Sequence, residues 1–237
     1  KCTWRFSPLH TFQVFSHRFN TFGRANLQPI GAKPTVTKGK VSSLYCRKFV
    51  GASHQYGRRL RQSETLASGE VLIPITMLAG RTDHSVSTLL CGFDGETLKP
   101  KRIGNVLKLG VKRGLMEPSI VRHDGRYWLT IRSEDDRGHF SVSRDGLGWG
   151  ALETHQFDDG TPLVTSTTQQ HWIRHRERLY LTYTRKDASN DKVFRWRTPT
   201  YMAQFDTRRK VLLKATERIL VPRDGDAEKL AVFDPWL

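Results

Sequence analysis

The sequence feature that most constrains the fold is a turn-plus-strand unit that returns at intervals of roughly fifty residues. The starts of its three copies lie 56 and 52 residues apart, at Gly69, Gly125 and Glu177. Each copy is followed by another strand that ends in a tight turn, at Asp94, Asp145 and Asp206. Short strands repeated at this interval are typical of β-propeller blades. A β-sandwich whose hairpins resemble one another by chance is the alternative.

The central copy, residues 117–149, predicts one four-stranded antiparallel unit. Its alternating runs are separated by His123-Asp124-Gly125 and Arg144-Asp145-Gly146, which are turn signals. Strands this short are stable only when neighbouring sheets cover both of their faces. The sequence has no stretch with the 3.6-residue apolar period of a normal helix, so we expect an all-β fold.

Three groups of residues between Gly51 and Pro222 resemble one known family. In the first, Glu117-Pro118-Ser119 precedes Asp124-Gly125-Arg126 and a strand that ends at Arg132. The second, residues 143–149, is similar to the Asp box Ser-x-Asp-x-Gly-x-Thr-Trp, but lacks the threonine and has its tryptophan one residue early. The third group comprises Gln169-Gln170-His171-Trp172, Tyr183-Thr184-Arg185 and Phe194-Arg195-Trp196-Arg197. Together they resemble the sialidase (neuraminidase) superfamily, in its branch of sialidase-like glycoside hydrolases with BNR or Asp-box repeats.

This resemblance implies a partial β-propeller of sialidase type, with about three to four four-stranded blades where the family has six. We expect a basic segment of uncertain structure in residues 1–50, propeller blades in residues 51–222 and a C-terminal tail in residues 223–237. The family's first triad arginine lies in an Arg-Ile-Pro motif, where this chain has Leu72. The family's general acid has no convincing match either. The chain therefore looks like a fragment, which need not be active by itself.

A retaining sialidase must hold a carboxylate sugar and activate a nucleophile, and the resemblance assigns residues to both tasks. Glu117 matches the glutamate that accepts a proton from the nucleophilic tyrosine, for which Tyr183 and Tyr201 are candidates. Arg132 matches a triad arginine, because a guanidinium group binds a carboxylate through two hydrogen bonds. The spacing of Glu117 and Arg132 places them at the ends of neighbouring antiparallel strands, on one rim. A plain surface ion pair of Glu117 with Arg132 or Arg122 is the alternative.

The third unit contributes further candidate site residues. His171 has the chemistry for acid–base catalysis, and the Gln170 amide can hydrogen-bond sugar hydroxyls. Arg195 and Arg197 are alternate residues of an expected strand and so face one side, and with Arg185 they are candidate contacts to an anionic sugar. For each of these residues, a core or solvated role is the structural alternative. No metal or cofactor is expected, because the three cysteines do not have the spacing of a metal site.

The net charge of +16 is concentrated at the N-terminal end of the chain. Residues 1–63 contain twelve Lys or Arg and no Asp or Glu, which leaves only about +4 for the remainder. A nucleic-acid-binding arm is one interpretation, but we expect no specific nucleic-acid partner because no nucleic-acid-binding fold is recognisable. No apolar run resembles a membrane span or a signal peptide, so we expect a soluble chain of unknown location.

Three functions stay open at this point. The leading hypothesis is an exo-acting glycoside hydrolase of sialidase type that acts on acidic, sialic-acid-like glycans. A variant is a propeller enzyme that cleaves acidic polysaccharide with His171 and a tyrosine. The alternative is a non-catalytic glycan-binding propeller that uses the same rim. Leucine at position 72 favours the last two, whereas the pairing of Glu117 with Arg132 favours the first.

Overall fold

The computed structural model describes residues 62–79 and 83–223, together with the backbone of residues 54–56. The predicted basic segment 1–50 and residues 224–237 of the predicted tail lie outside the described residues. The described part consists of three antiparallel sheets, connecting turns and short 3-10 helices at Ala188–Asn190, Phe194–Trp196 and Lys214–Thr216. It contains no α-helix, and none of its helices is long and apolar enough to cross a membrane. The prediction of an all-β fold is confirmed for these residues.

Each sheet takes its strands from one continuous stretch of the chain. The first sheet contains β1 (His54–Tyr56), β2 (Glu64–Thr65), β3 (Val71–Ala79), β4 (Asp83–Phe93), β5 (Leu98–Ile103) and β6 (Leu107–Lys108). Its main order is β1-β3-β4-β5, while β2 pairs with β3 and β6 with β4. The second sheet contains β7 (Met116–His123), β8 (Arg126–Arg132), β9 (Gly138–Ser143) and β10 (Glu153–Thr154), in the order β10-β9-β8-β7.

The third sheet has the same meander topology. Its strands are β11 (His171–His175), β12 (Arg178–Tyr183), β13 (Thr200–Asp206), β14 (Val211–Leu212) and β15 (Arg218–Val221). The order is β11-β12-β13-β14, and β15 pairs with the first half of β13. The predicted succession of three antiparallel sheets between Gly69 and Glu217 is therefore present, and their radial arrangement as blades stays a prediction. The fourth strand of the central sheet begins at Glu153, a few residues beyond the predicted unit.

An aspartate stabilises the turn between the third and fourth main strands of every sheet. Asp94 Oδ1 accepts hydrogen bonds from the second and third following backbone N–H groups, at 3.1 and 2.7 Å. Asp145 Oδ1 does the same at 2.9 and 2.7 Å, and Asp206 Oδ1 at 2.9 and 3.1 Å. An aspartate that binds its own backbone in this way favours a tight turn. The repeated tight turns that the sequence predicts are thus built from the same interaction.

The second sheet lies between the other two and is buried on both faces. Trp128 and Phe140 pack against Phe205 of the third sheet, with ring centroids 5.4 and 5.5 Å apart. Leu129, which follows Trp128 on β8 and points to the opposite face, belongs to the core shared with Leu72 of the first sheet. Strand β7 contacts both β3 and β11, so it forms the edge at which the three sheets meet. This edge positions the candidate site.

Candidate active site

Glu117 and Arg132 meet at the end of the second sheet where β7 begins and β8 ends. A register shift between Met116 and Ser119 marks a bulge in β7, and Glu117 inside it has a φ of 52°. A positive φ is uncommon for a residue with a side chain, and bulges often redirect a side chain beside a functional site. The Glu117 N–H donates to Thr76 Oγ1 of β3 at 2.9 Å, which connects this point to the first sheet.

The guanidinium of Arg132 is held on two sides. Arg132 Nη1 donates to Glu117 Oε2 at 2.6 Å. Its Nε and Nη2 both donate to a single neutral oxygen, Thr167 Oγ1, at 2.9 and 2.8 Å. The side chains of Arg132 and Glu117 are only 11% and 21% exposed. The ion pair is thus partly buried and oriented, and Glu117 does not pair with Arg122, which lies towards the opposite end of β7.

A second ion pair, between Arg113 and Glu134, lies beside the first. Arg113 Nη2 makes a short contact with Glu134 Oε1, and the Thr167 hydroxyl lies 3.4 Å from the same oxygen. The hydrogen bond from Arg113 lowers the pKa of Glu134 to about 2. Glu134, the first of three carboxylates in the loop that follows Arg132, is therefore held ionised and has no proton to donate at neutral pH.

The other two carboxylates of this loop also have partners. Asp135 accepts hydrogen bonds from Ser133 and from His139 Nε2, the latter at 2.8 Å. Burial by itself raises the pKa of Asp135, but these hydrogen bonds outweigh it and the pKa is lowered. Asp136 lies 2.9 Å from Lys186 Nζ and links the loop to the third sheet. Glu134 and Asp135 thus provide negative charge and no carboxylic acid poised to act near neutral pH.

Tyr183 and Arg185 meet at a glutamate that the sequence did not single out as a site residue. The Tyr183 hydroxyl donates to Glu217 Oε1 at 2.6 Å, while Arg185 Nε and Nη2 bind the two oxygens of Glu217 at 3.1 Å each. The guanidinium of Arg185 also contacts Asp187 and lies 4.4 Å from the ring centre of Tyr201. Burial, followed by the bond to Glu217, raises the pKa of Tyr183 well above its usual value. Tyr183 is 1% exposed.

Gln170 and His171 lie in the interior between the second and third sheets. They are 1% and 2% exposed. Gln170 Oε1 accepts from Thr130 Oγ1 at 2.9 Å, and Gly138 approaches the Gln170 side chain so closely that a Cβ there would collide with it. The structure therefore buries both candidate side chains, which a ligand at the surface does not reach.

Arg195 and Arg197 do not lie on a strand, which corrects the sequence-based expectation. Residues Phe194–Trp196 form a 3-10 helix in which Arg195 has a φ of 56°. Both guanidinium groups lie over the exposed ring of Phe194, at 5.0 Å for Arg195 and 5.5 Å for Arg197. They belong to the long connection between β12 and β13, and the shared strand face predicted for them is absent.

The ion pairs around Arg132 and the ion pair of Arg185 with Glu217 lie at the same end of the second and third sheets. The Lys186 N–H donates to Val164 O at 2.9 Å, and the Thr165 N–H donates to Asp136 O at 3.1 Å, so segment 164–168 joins the two sheets here. This end, with Glu117, Arg132, Glu134, Tyr183, Arg185 and Glu217, is named the candidate face. Across residues 62–79 and 83–223, no group of three or more His, Cys, Asp or Glu side chains could hold a metal ion.

Comparisons with known proteins gave structural similarities only. No protein-family model matches the chain, and no curated protein matches it in sequence. A GH43_1 enzyme from Xanthomonas citri is 12% identical with a TM-score of 0.49, over 70% of this chain and 56% of that one. A GH43 β-xylosidase/α-arabinofuranosidase from a compost microbial metagenome is 12% identical with a TM-score of 0.48, over 72% and 63%. A Trypanosoma rangeli sialidase is 16% identical with a TM-score of 0.41, over 60% and 22%. The chain thus spans little more than half the length of the GH43 enzymes and about a fifth of the sialidase.

Proposed function

We propose that this chain is part of a β-propeller glycoside hydrolase of sialidase type, and that its candidate face binds the terminal sugar of an acidic glycan. The observation that carries this proposal is the geometry of Arg132. Its side chain is oriented by Glu117 at the edge where three sheets meet, and the Nε and Nη2 donors together reach one neutral hydroxyl.

A carboxylate sugar can bind to these two donors. Two adjacent N–H groups of a guanidinium match the two oxygens of a carboxylate, and such charge-assisted pairs are stronger than a bond to a hydroxyl. A ligand carboxylate would therefore displace Thr167 and leave the ion pair of Arg132 with Glu117 intact. Exchange of a neutral partner avoids the cost of breaking a partly buried ion pair.

Glu117 is the residue we propose as the proton acceptor in turnover. In a retaining mechanism the nucleophile forms a bond to the anomeric carbon, its proton passes to a nearby carboxylate, and the bond to the leaving-group oxygen breaks. Glu117 is 21% exposed and adjoins Arg132, so its carboxylate lies beside the proposed position of the sugar. The burial of Tyr183 and its bond to Glu217 favour a role in orienting Glu217 and Arg185 over a role as nucleophile.

Non-catalytic glycan binding is the second candidate, and one observation favours it. Each carboxylate of the candidate face named above is bound to a cation: Glu117 to Arg132, Glu134 to Arg113 and Glu217 to Arg185. A general acid needs a proton near neutral pH, and the bond from Arg113, which lowers the pKa of Glu134 to about 2, leaves that carboxylate without one. The variant mechanism through His171 has less support, because that ring is 2% exposed.

The test is a measurement of both binding and turnover in the full-length protein that contains this chain. An aryl sialoside reports hydrolysis, and a panel of acidic oligosaccharides, with neutral xylo-oligosaccharides as controls, reports binding. For Glu117→Gln we expect binding within about threefold of the parent and turnover reduced by at least about a hundredfold, since the amide keeps an acceptor for Arg132 but takes up no proton. For Arg132→Lys we expect weaker binding of carboxylate sugars at unchanged charge, because the two-bond geometry is lost.

The outcomes separate the candidates. Binding of acidic sugars that depends on Arg132, without hydrolysis of any substrate, would support the non-catalytic protein. Unchanged turnover in Glu117→Gln would exclude that residue as the proton acceptor. Preference for neutral xylo-oligosaccharides, unaffected by Arg132→Lys, would exclude the acidic glycan.

A further inference from the structure

The opposite end of the second and third sheets carries arginines that bind no carboxylate. Six of them lie in or next to the turns at this end: Arg126, Arg144, Arg176, Arg178, Arg208 and Arg209. All six side chains are exposed, and none forms an ion pair with another described residue. We name these six residues the arginine surface.

The turns that carry these arginines form one continuous surface. Thr207 Oγ1 donates to Asp124 Oδ2 at 3.2 Å, which joins the β13–β14 turn to the β7–β8 turn. Lys210 Nζ lies 2.5 Å from Glu153 Oε1 and joins the same turn to β10 of the second sheet. A groove of about 570 Å³ opens between Arg126, Arg144 and Lys210. Guanidinium groups from two sheets therefore face solvent together.

Five carboxylates lie at this end as well, Asp124, Asp145, Glu153, Glu177 and Asp206, but none of them forms an ion pair with one of the six arginines. Asp145 and Asp206 accept hydrogen bonds from the backbone of their own turns, and Glu153 pairs with Lys210. The corresponding turns of the first sheet differ. There, Lys99 pairs with Asp94 and Lys101 with Glu70, both at 2.8 Å. Arginines without an ion pair, six of them beside Lys210 and the five carboxylates, are thus a property of the second and third sheets at this end.

We propose that the arginine surface binds an acidic polysaccharide, one that carries sulfate or carboxylate groups along its chain. Exposed guanidinium forks bind such anions and release the counterions of the polymer. Binding of single-stranded nucleic acid uses exposed rings for base stacking, but the aromatic rings nearest to this surface, Tyr127 and Trp149, are only 7% and 5% exposed. Insertion into a membrane surface requires apolar groups. The exposed large apolar residues of the described part, Val106, Phe194, Ile219, Leu220 and Val221, lie outside these turns.

Such a surface would hold the protein on a polymer while the candidate face at the other end remains open. A second binding surface raises the local concentration of the polymer without any change at the first. The proposal does not require turnover, so its test is independent of the proposed hydrolase activity.

The experiment compares two matched triple variants of the full chain, each of which loses three positive charges. The first replaces Arg144, Arg208 and Arg209 with serine. The control replaces the exposed Arg102, Lys108 and Lys192 with serine, none of which lies in these turns. Dissociation constants are measured with labelled heparin fragments and polygalacturonate at several salt concentrations. Single-stranded DNA, duplex DNA and phosphatidylserine vesicles serve as competing probes, and thermal melting confirms that both variants fold.

In the first variant we expect the dissociation constant for heparin or polygalacturonate to rise about tenfold. The slope of log K against log salt concentration should become shallower by roughly one for each arginine in contact. The control should change less than about threefold. Equal weakening in both variants would overturn the proposal, since the binding would then reflect net charge alone. DNA or vesicle binding that is tighter than polysaccharide binding, and equally sensitive to the three arginines, would also overturn it.

Discussion

The buried histidine His155 makes the stability of this fold depend on pH in a way that can be measured. Its side chain is completely buried between the second and third sheets, with Nε2 3.0 Å from Thr130 Oγ1 and its ring 4.9 Å from that of Phe140. Burial lowers the pKa of His155 from its ordinary 6.5 to about 3. The folded state therefore keeps this ring neutral, whereas the unfolded chain protonates it at about pH 6.5.

The sign of the effect follows from this difference. A base whose pKa is lowered by folding contributes its full stability above the unfolded pKa and loses it as the pH falls below 6.5. The loss approaches about 1.4 kcal/mol for each further pH unit, which amounts to about 2 kcal/mol between pH 8 and pH 5. Ionised carboxylates such as Glu134, whose pKa is lowered to about 2, lose their contribution only below about pH 4.5. Between pH 8 and pH 5 the contribution of His155 is therefore separate from that of these carboxylates.

The assay is urea denaturation at pH 8, 6.5, 5.5 and 5, with the parent compared with His155→Gln. The variant will have a lower free energy of unfolding throughout, but its stability should fall by about 2 kcal/mol less than that of the parent between pH 8 and pH 5. His175→Gln, the same substitution at an exposed position, provides the matched control. An unchanged slope in His155→Gln would refute the inference that this ring is buried and neutral in the folded state.

Three further outcomes follow from the contacts. Gly146→Ala should lower the free energy of unfolding by about 1–3 kcal/mol, because Gly146 has a φ of 75° and the added Cβ would collide with Leu72. Gly148→Ala in the same turn should lower it by less than about 1 kcal/mol, and urea denaturation measures both. Glu217→Ala should cost about 2 kcal/mol or more by the same assay, since it leaves the buried Tyr183 hydroxyl without its acceptor, and a change below 0.5 kcal/mol would contradict that role. The domain boundary predicted at residue 51 implies that removal of residues 1–50 shifts the melting temperature of the remainder by only a few degrees. A much larger decrease in the melting temperature would place the boundary elsewhere.

The sequence predicts the repeated turns and the Glu117–Arg132 contact for the same reason, which is that both depend on local pairing. An Asp-containing turn is stabilised by its own backbone, as at Asp94 and Asp206. Likewise, the strands that carry Glu117 and Arg132 are joined by a two-residue turn, so antiparallel pairing brings their far ends together. Sequence spacing is informative wherever one hairpin determines the distance.

The third sheet shows where this kind of inference stops. Glu217 reaches Tyr183 only because β15 returns to pair with β13, with Ile219 opposite Tyr201. No short-range pattern specifies that return. Arg195 and Arg197 alternate with aromatic residues as in a strand, but Phe194–Trp196 form a short 3-10 helix, in which Arg195 has a positive φ and after which Arg197 follows. His171 has suitable chemistry, yet its position at the start of the inner strand β11 buries it.

The arginines at the two ends of the sheets differ in whether they are already ion-paired, and this difference affects the binding affinity expected at each end. At the candidate face, Arg113, Arg132 and Arg185 are partly buried and already paired with carboxylates, so their orientation is fixed before a ligand arrives. A sugar carboxylate that displaces the neutral Thr167 from Arg132 therefore gains a charged hydrogen-bond pair without ordering a flexible side chain, a cost that otherwise reaches about 1 kcal/mol or more. Arginines of the opposite end, such as Arg208, have no fixed partner and pay that cost for each contact. Tight binding there requires many contacts along one polymer, whereas a single sugar suffices at Arg132.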